Sequence, residues 1–366
     1  MPIDNSTIPG SVVSHLDQVT AAWLTSVLAR SGALTRGAVE SFAVGTGRGN
    51  WSSNASLLLK YTSAAQGPLP RRLFLKMVNT DLGDESFGDS EVTYYTRDYV
   101  DVANAPLLHC YDAAYAPALK RYHILLDDVS ETHVAASEKE PTLEYGLALA
   151  EALAVLHARW WGAGRLAEAG AEMHRANHIR NFVAIAEPGV GHIVGCCAAQ
   201  LESHWPDLMR ELFARHPQAM IERTRNSDGF TLIHGDAGEY NILVPQHGDR
   251  PLYLIDRQPF DWSLTIWLGV FDLVYATVLD WATDSRRRWE LPILQHYHTH
   301  LIKHGVRDYA WSQLLYDYRL CVPMGVYIAV EYCRGGVNEA QAQYWRPMLQ
   351  RVLTACEDLD CRALWW

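Results

Sequence analysis

The chain has 366 residues, 49% of them apolar, with 31 Lys+Arg against 42 Asp+Glu and a net charge of −11. That composition supports a sizeable core and roughly two domains or one two-lobed unit, and it excludes wholesale disorder. The acidic balance disfavours broad nucleic-acid binding, yet leaves room for a local pocket that takes a nucleotide or a small cation.

The opening MPIDNSTIPG carries no basic region and no long apolar run, and no apolar stretch of about 18 residues is visible. The expectation is a cytoplasmic protein without signal peptide or membrane span. Seven scattered cysteines (110, 196, 197, 321, 333, 356 and 361) fit reduced thiols.

In chain order, residues 17–30 have apolar residues at helical spacing and stop at Ser31-Gly32. From Val39 the texture becomes β-like. Val39–Val44 runs into the glycine-rich 45–49, Ser56–Tyr61 and Leu73–Val78 follow, and a turn-like AAQGPLP lies between those two strands. A helix is predicted over about 86–102, then strands over 107–114 and 120–126. After Asp127-Asp128 the pattern turns helical, first over 142–161. A short β interlude at 230–256 precedes predicted helices at 267–283, 288–304, 308–334 and 338–357. The switch marks an N-lobe of residues 1–127, a five-stranded antiparallel sheet with one inserted helix. A helical C-lobe of residues 128–366 follows, giving an α+β bilobal architecture.

The sharpest local signal is TLIHGDAGEYNILVPQHGDRPLYLIDRQ, residues 231–258. Short apolar strands deliver Asp236, Asn241 and Asp256 to loop ends, two carboxylates and an amide in one hairpin-like unit. Hard oxygen donors of this kind suit Mg²⁺, and the remaining carboxylate can orient a nucleophile. The bland reading is three turn-capping residues.

HGDAGEYN followed twenty residues after Asp236 by IDRQ resembles the catalytic and metal-binding loops of the aminoglycoside phosphotransferase and choline/ecdysteroid-kinase-like family. Protein kinases instead carry Arg in the second position and D-F-G later. Here Gly235 and Arg257-Gln258 depart from that pattern, which points to small-molecule substrates. Upstream parts occur in the family's order. Lys76 ends Leu-Phe-Leu-Lys on the third strand, and Glu91 with Tyr95 fits E-x-x-x-Y on the next helix. Gly45, Gly47 and Gly49 precede the second strand, and Leu125-Leu126-Asp127-Asp128-Val129 resembles the hinge. Leu153–Ala158 and Phe271–Tyr275 resemble two further elements.

The resemblance implies a protein-kinase-like fold that moves the γ-phosphoryl group of ATP to a hydroxyl of a small molecule, aminoglycoside-, sugar- or amino-alcohol-like. It implies Asp236 as the proton acceptor and Asn241 and Asp256 as Mg²⁺ ligands. Lys76, aligned by Glu91, would neutralise phosphates, the backbone at Asp127 and Val129 would hold adenine, and the glycines would cover the nucleotide. His234 and Asp272 are expected to support the loop. On the acceptor side stand Asp261, Trp262, Asp280, Trp281 and Asp284, together with Trp267 and Glu331. Asp280 and Asp284 are placed four apart on one helix, where carboxylates and indoles would favour a cationic or polyhydroxylated ligand.

The rival from another class is a non-catalytic, nucleotide-binding pseudokinase. A metal-dependent hydrolase is a further rival. His296, His300 and His304 recur every four residues on one predicted helix face, a spacing at which histidine pairs can bind zinc, but no Glu between them makes H-E-x-x-H, so no functional metal is expected there.

Overall fold

The computed structural model describes residues 12–48, 52–78, 87–260 and 262–365. Helix α1 (Ala21–Arg30) begins at Thr20, whose hydroxyl accepts from the Trp23 N–H. That cap satisfies one of the orphan donors at the helix start. Strands β1 (Val39–Arg48), β2 (Ser52–Tyr61) and β3 (Arg72–Val78) follow. After them come helix α2 (Ser90–Thr93), β4 (Cys110–Ala116) and β5 (Arg121–Asp127). The five strands form one antiparallel sheet in the order β1-β2-β3-β5-β4.

Strand alternation divides this sheet into two faces. Leu73, Leu75 and Met77 pack with Leu57, Leu59 and the Trp23, Leu24, Val27 and Leu28 stripe of α1. The opposite face sends Val78, Tyr122, Ile124 and Leu126 into the core of the helical half. Lys76 lies in the same parity as Val78, so the lysine is delivered to the face turned toward the helices. The expected helix over 86–102 is shorter. α2 covers one turn and passes into a π-type turn over Tyr94–Asp98, which buries Tyr94, Tyr95 and Asp98 together.

The rest of the chain begins with β6 (His133–Ala135), α3 (Leu143–Arg159), α4 (Gly162–Glu168), α5 (Ala176–Cys197) and α6 (Trp205–Arg223). Strands β7 (Phe230–Leu232), β8 (Ile242–Pro245), β9 (Tyr253–Leu254) and β10 (Ile266–Leu268) make the interlude. They form a three-stranded β6-β8-β9 sheet and a β7-β10 pair. Helices α7 (Val270–Val274), α8 (Thr283–Lys303), α9 (Trp311–Cys321), α10 (Met324–Glu331) and α11 (Ala342–Asp358) complete the chain.

Two expected helices are divided. The 308–334 stretch breaks between α9 and α10, where Pro323 stands as the N-cap of the second helix and lacks the N–H a continuous helix would need. The 267–283 stretch begins as β10, continues as α7 and a π-type turn over Tyr275–Leu279, and ends before α8. All seven cysteines are free thiols.

The segment Ala176–Gln200, which contains α5, is long and apolar enough to cross a membrane by length and composition, a stretch the sequence reading passed over. Its buried stripe, including Ile179, Phe182, Val190 and Ile193, belongs to the helical core. Gly189 lets α10 approach closely, since a Cβ there would lie 1.9 Å from the Val330 carbonyl oxygen.

Candidate active site

The loop after β7 is pinned from beneath by one buried carboxylate. Asp272, on α7, accepts from the His234 N–H (2.6 Å) and the Gly235 N–H (2.9 Å). His157 of α3 donates from Nε2 to the same carboxylate at 3.0 Å, and its Nδ1 lies 2.8 Å from the Tyr297 hydroxyl of α8. Burial opposes the charge on Asp272, but the His157 hydrogen bond and the backbone donors win and hold its pKa below the ordinary value. Three helices thus fix one turn of loop.

The loop has its own internal brace. Burial pushes the His234 pKa down to about 4, so the ring is neutral at physiological pH. Its Nε2 donates to the Ile255 carbonyl at 2.8 Å, and its Nδ1 accepts from the Asp236 N–H at 3.3 Å. His234 therefore joins the loop carrying Asp236 to the strand end carrying Asp256. Gly235 adopts φ 79°, and a Cβ there would meet the Gln258 Cβ at 3.0 Å. Both facts explain glycine at the position where protein kinases carry arginine.

Arg257 is buried and does structural work of a similar kind. It donates to the Ile233 carbonyl at 3.1 Å, to the Ser90 carbonyl at 3.3 Å and to Asp98 at 2.9 Å. The Ser90 hydroxyl returns a hydrogen bond to the Gln258 carbonyl at 2.6 Å. This departure from D-F-G thus couples the Asp256 loop to the helix that presents Glu91.

Lys76, Glu91 and Asp256 meet. Lys76 Nζ lies 2.8 Å from both Glu91 oxygens and 3.0 Å from Asp256 Oδ1. The Tyr122 hydroxyl also donates to Glu91. Burial works against the ammonium charge, but Asp256 and Glu91 outweigh it and raise the Lys76 pKa. Burial raises that of Glu91. Asp256 adopts a left-handed backbone conformation, φ 58°, and its side chain remains 44% exposed on the cleft side. A non-glycine residue there is a strained choice that places the carboxylate beside Lys76.

Asp236 faces the same cleft. Burial pushes its pKa up to about 7, partly offset by hydrogen bonds from Tyr275 and Asn241. The Asn241 amide nitrogen donates to the Asp236 carbonyl at 2.9 Å and its carboxylate at 3.0 Å. That orientation turns the amide oxygen of Asn241 away from Asp236. The oxygen pair of Asn241 and Asp256 fits a hard divalent cation such as Mg²⁺ by donor chemistry. Sequence reasoning had quoted Tyr275 only as part of a motif. Its place three residues after Asp272 on one helical face was the available signal.

A cleft of about 1110 Å³ joins these groups. Lys76, Asp236, Asn241 and Asp256 line it, as do Trp262, Tyr275, Glu331, Tyr332 and Tyr344. Trp262 stacks on Phe260, rings 5.2 Å apart and 13° from parallel. Glu331 pairs with Arg334 at 3.2 Å. Tyr332, Tyr344 and Phe260 were not singled out from sequence.

Other expected site residues fall elsewhere. Trp281 is only 2% exposed and packs on Tyr145 and Trp289, away from the cleft. Asp284 is exposed in the first turn of α8 and faces Arg287 at 3.8 Å. Asp280 accepts from the Glu239 N–H at 2.8 Å and braces the Asp236 loop from outside. Burial, with Glu239 nearby, pushes its pKa up to about 8. The pair expected on one helix is split, because Ala282 is the extended N-cap of α8. Trp267 is fully buried core.

Asp127 accepts from the Tyr111 hydroxyl at 2.6 Å, and its N–H donates to the His109 carbonyl. The Val129 carbonyl accepts from the Thr132 and His133 N–H groups. Neither residue lines the cleft. Gly45 and Gly47 lie within β1, opposite Ser56 and Asn54 of β2. A Cβ at Gly45 would make only ordinary contact, 3.8 Å from Ser56 Cβ. Gly49 and Asp261 lie outside the described residues.

No protein-family model and no curated protein matches the sequence. Solved structures do match the fold. An ethanolamine kinase from Plasmodium vivax superposes with TM-score 0.54 at 13% identity, over 89% of this chain and 85% of that one. A choline kinase from Cryptosporidium parvum gives 0.55 at 8% identity, over 88% and 91%. A spectinomycin phosphotransferase in complex with ADP and spectinomycin gives 0.51 at 11%, over 94% and 99%. The chain therefore has a protein-kinase-like fold, in the form seen in small-molecule kinases of the choline-kinase and aminoglycoside-phosphotransferase type.

Proposed function

We propose, on the premise of that shared fold, that the chain is an enzyme transferring the γ-phosphoryl group of ATP to a hydroxyl of a small molecule. The observation that supports this most is the meeting of Lys76, Glu91 and Asp256 across a cleft from a half-buried Asp236 whose pKa is pushed up to about 7. Glu91 fixes the ammonium of Lys76, which then offsets the charge of the α- and β-phosphates. Asn241 and Asp256 would hold Mg²⁺, which supplies charge neutralisation of the phosphates when bound. Asp236 orients the acceptor hydroxyl and takes its proton as the O–P bond forms and the ADP oxygen departs. Tyr275 and Asn241 keep its carboxylate aimed, so that most of the acceleration comes from positioning and electrostatics.

The acceptor is read as an aminoglycoside-, sugar- or amino-alcohol-like compound. Trp262, Tyr332 and Tyr344 offer ring faces to a cationic or polyhydroxylated ligand, and Asp236 and Glu331 add carboxylates. The test is ADP release from Mg-ATP across a panel of hydroxylated amines, aminoglycosides and sugars, with mass analysis of the product. One acceptor gaining a phosphoryl group in wild-type protein, and not in Asp236→Asn, carries the proposal. Equal turnover in the two proteins would sink it.

A further inference from the structure

Away from the cleft, a second group of ligating side chains forms where α3 and α8 touch. The two helices run close because Gly146 admits α8: a Cβ there would lie 2.4 Å from Ile293 Cδ1. At this seam Glu151 of α3 faces His296 and His300, which stand one turn apart on α8. The imidazole rings are 4.3 Å apart between centroids. His300 Nδ1 lies 3.5 Å from Glu151 Oε1, and His296 Nε2 lies 3.9 Å from Oε2. The potential ligand atoms of all three residues fall within 4.8 Å of one another.

Those separations are long for hydrogen bonds. They lie nearer the spacing of donors around one ion, since metal–ligand bonds of about 2.0–2.1 Å at tetrahedral angles put ligand atoms roughly 3.3 Å apart. A second observation points the same way. His300 is 8% exposed, and its Nδ1 is buried with no hydrogen-bond partner. A buried ring nitrogen without a partner carries a cost that a bound ion would remove. The sequence expectation of no functional metal at these histidines took no account of Glu151, which α3 supplies across the seam, and His304 stays exposed outside the cluster.

We propose that Glu151, His296 and His300 form a site for a zinc-type divalent transition-metal ion that clamps α3 to α8. Two imidazoles and a carboxylate select Zn²⁺, Co²⁺ or Ni²⁺ over Mg²⁺, so this site is chemically distinct from the oxygen-only pair of the cleft. A fourth position stays open for water beside the half-exposed Glu151. The clamp has structural leverage. Tyr297 adjoins His296 on α8 and contacts His157 of α3, the histidine that holds Asp272 beneath the catalytic loop. The proposal does not depend on the phosphotransfer reading.

The test uses the full, untagged chain, stripped with chelator and dialysed. Zinc is then titrated by calorimetry and melting curves, alongside His296→Gln and Glu151→Gln. Both side chains are part-exposed, and melting temperatures equal to wild type in chelator would establish that the variants fold. The expected result is one zinc-type ion per wild-type chain and a melting rise on the order of a few degrees at saturation. Both effects should be lost in each variant. Cobalt should give a visible spectrum free of thiolate charge-transfer bands. An absence of zinc binding would overturn the proposal. So would a stoichiometry and melting rise retained in both variants, or a thiolate-ligated cobalt spectrum, because the ion would then sit elsewhere.

Discussion

Two groups of charges are held in opposite ways, one in the cleft around Lys76 and one running from Asp236 in the cleft to Asp280 and Glu239 behind its loop. Around Lys76 every charge has a partner: the ammonium touches Glu91 and Asp256, and Tyr122 donates to Glu91. Around Asp236 the carboxylates outnumber the cations that compensate them, Lys76 and Arg351. Asp236 and Asp280 are pushed up to about 7 and about 8 by burial, and Glu239 adds a third acid beside Asp280. The cation that compensates Asp280 and Glu239 is Arg351, whose guanidinium also donates to the Leu279 carbonyl. A paired cluster keeps its charges fixed and suits holding a polyanion. An underpaired cluster keeps a proton within reach near neutral pH and suits proton transfer. On the proposed phosphotransfer reading, anion binding and proton acceptance are thus separated by how completely each cluster is compensated.

The largest expected effect comes from breaking the underpaired side. Asp236→Ala should lower phosphoryl transfer by roughly 10²–10⁴, the usual worth of a positioned base, while nucleotide affinity stays nearly unchanged. Single-turnover rates and nucleotide titration on one preparation would check both halves. On the paired side, Asp256→Asn should weaken nucleotide binding and rate together, and excess EDTA should abolish turnover. Activity that persists in EDTA would mean that the Asn241–Asp256 oxygen pair holds no ion.

A smaller effect sharpens the contrast through stability. Asp280 has a folded pKa raised above its ordinary value, so between about pH 4 and about 8 the folded state holds more protons than the unfolded one. The stability this group contributes is complete at low pH and is lost as pH rises through about 8. Asp280→Asn keeps an oxygen for the Glu239 N–H and removes the titration. Its melting temperature should therefore gain on wild type as pH goes from 5 to 9, and parallel curves would contradict the assignment. The smallest effect is at Trp262, where Ala should raise acceptor KM several-fold and leave ATP KM alone. Trp281→Ala opens a core cavity instead and should cost about 3–5 kcal/mol of stability, read by denaturant unfolding.

Legibility in the sequence follows the same divide. Asp236, Asn241 and Asp256 were legible because strand ends and short loops set their spacing, whereas Lys76 and Glu91 were nominated only through the order of parts that the family resemblance implies. The bracing residues were partly visible, since Asp272 and Tyr275 share a helical face. The acceptor wall was not. Asp280 and Asp284 look like a helical pair until Ala282 interrupts the helix, and Trp281 is a core residue because Tyr145 of a distant helix meets it. The His296–His300 face gave no expectation of a metal for the same reason: Glu151 lies on another helix, and local periodicity carries no record of it. The N-terminal sheet was legible from its β texture, whereas the break at Pro323 and the π-type turns depend on packing around them.

The most direct test of the two-cluster account is a calorimetric titration of a magnesium-bound, non-hydrolysable ATP analogue into wild type, Asp236→Asn and Asp256→Ala. The account predicts one site per chain, equal affinity in wild type and Asp236→Asn, and at least tenfold weaker binding in Asp256→Ala. No binding to wild type, or the same loss in both variants, would contradict it.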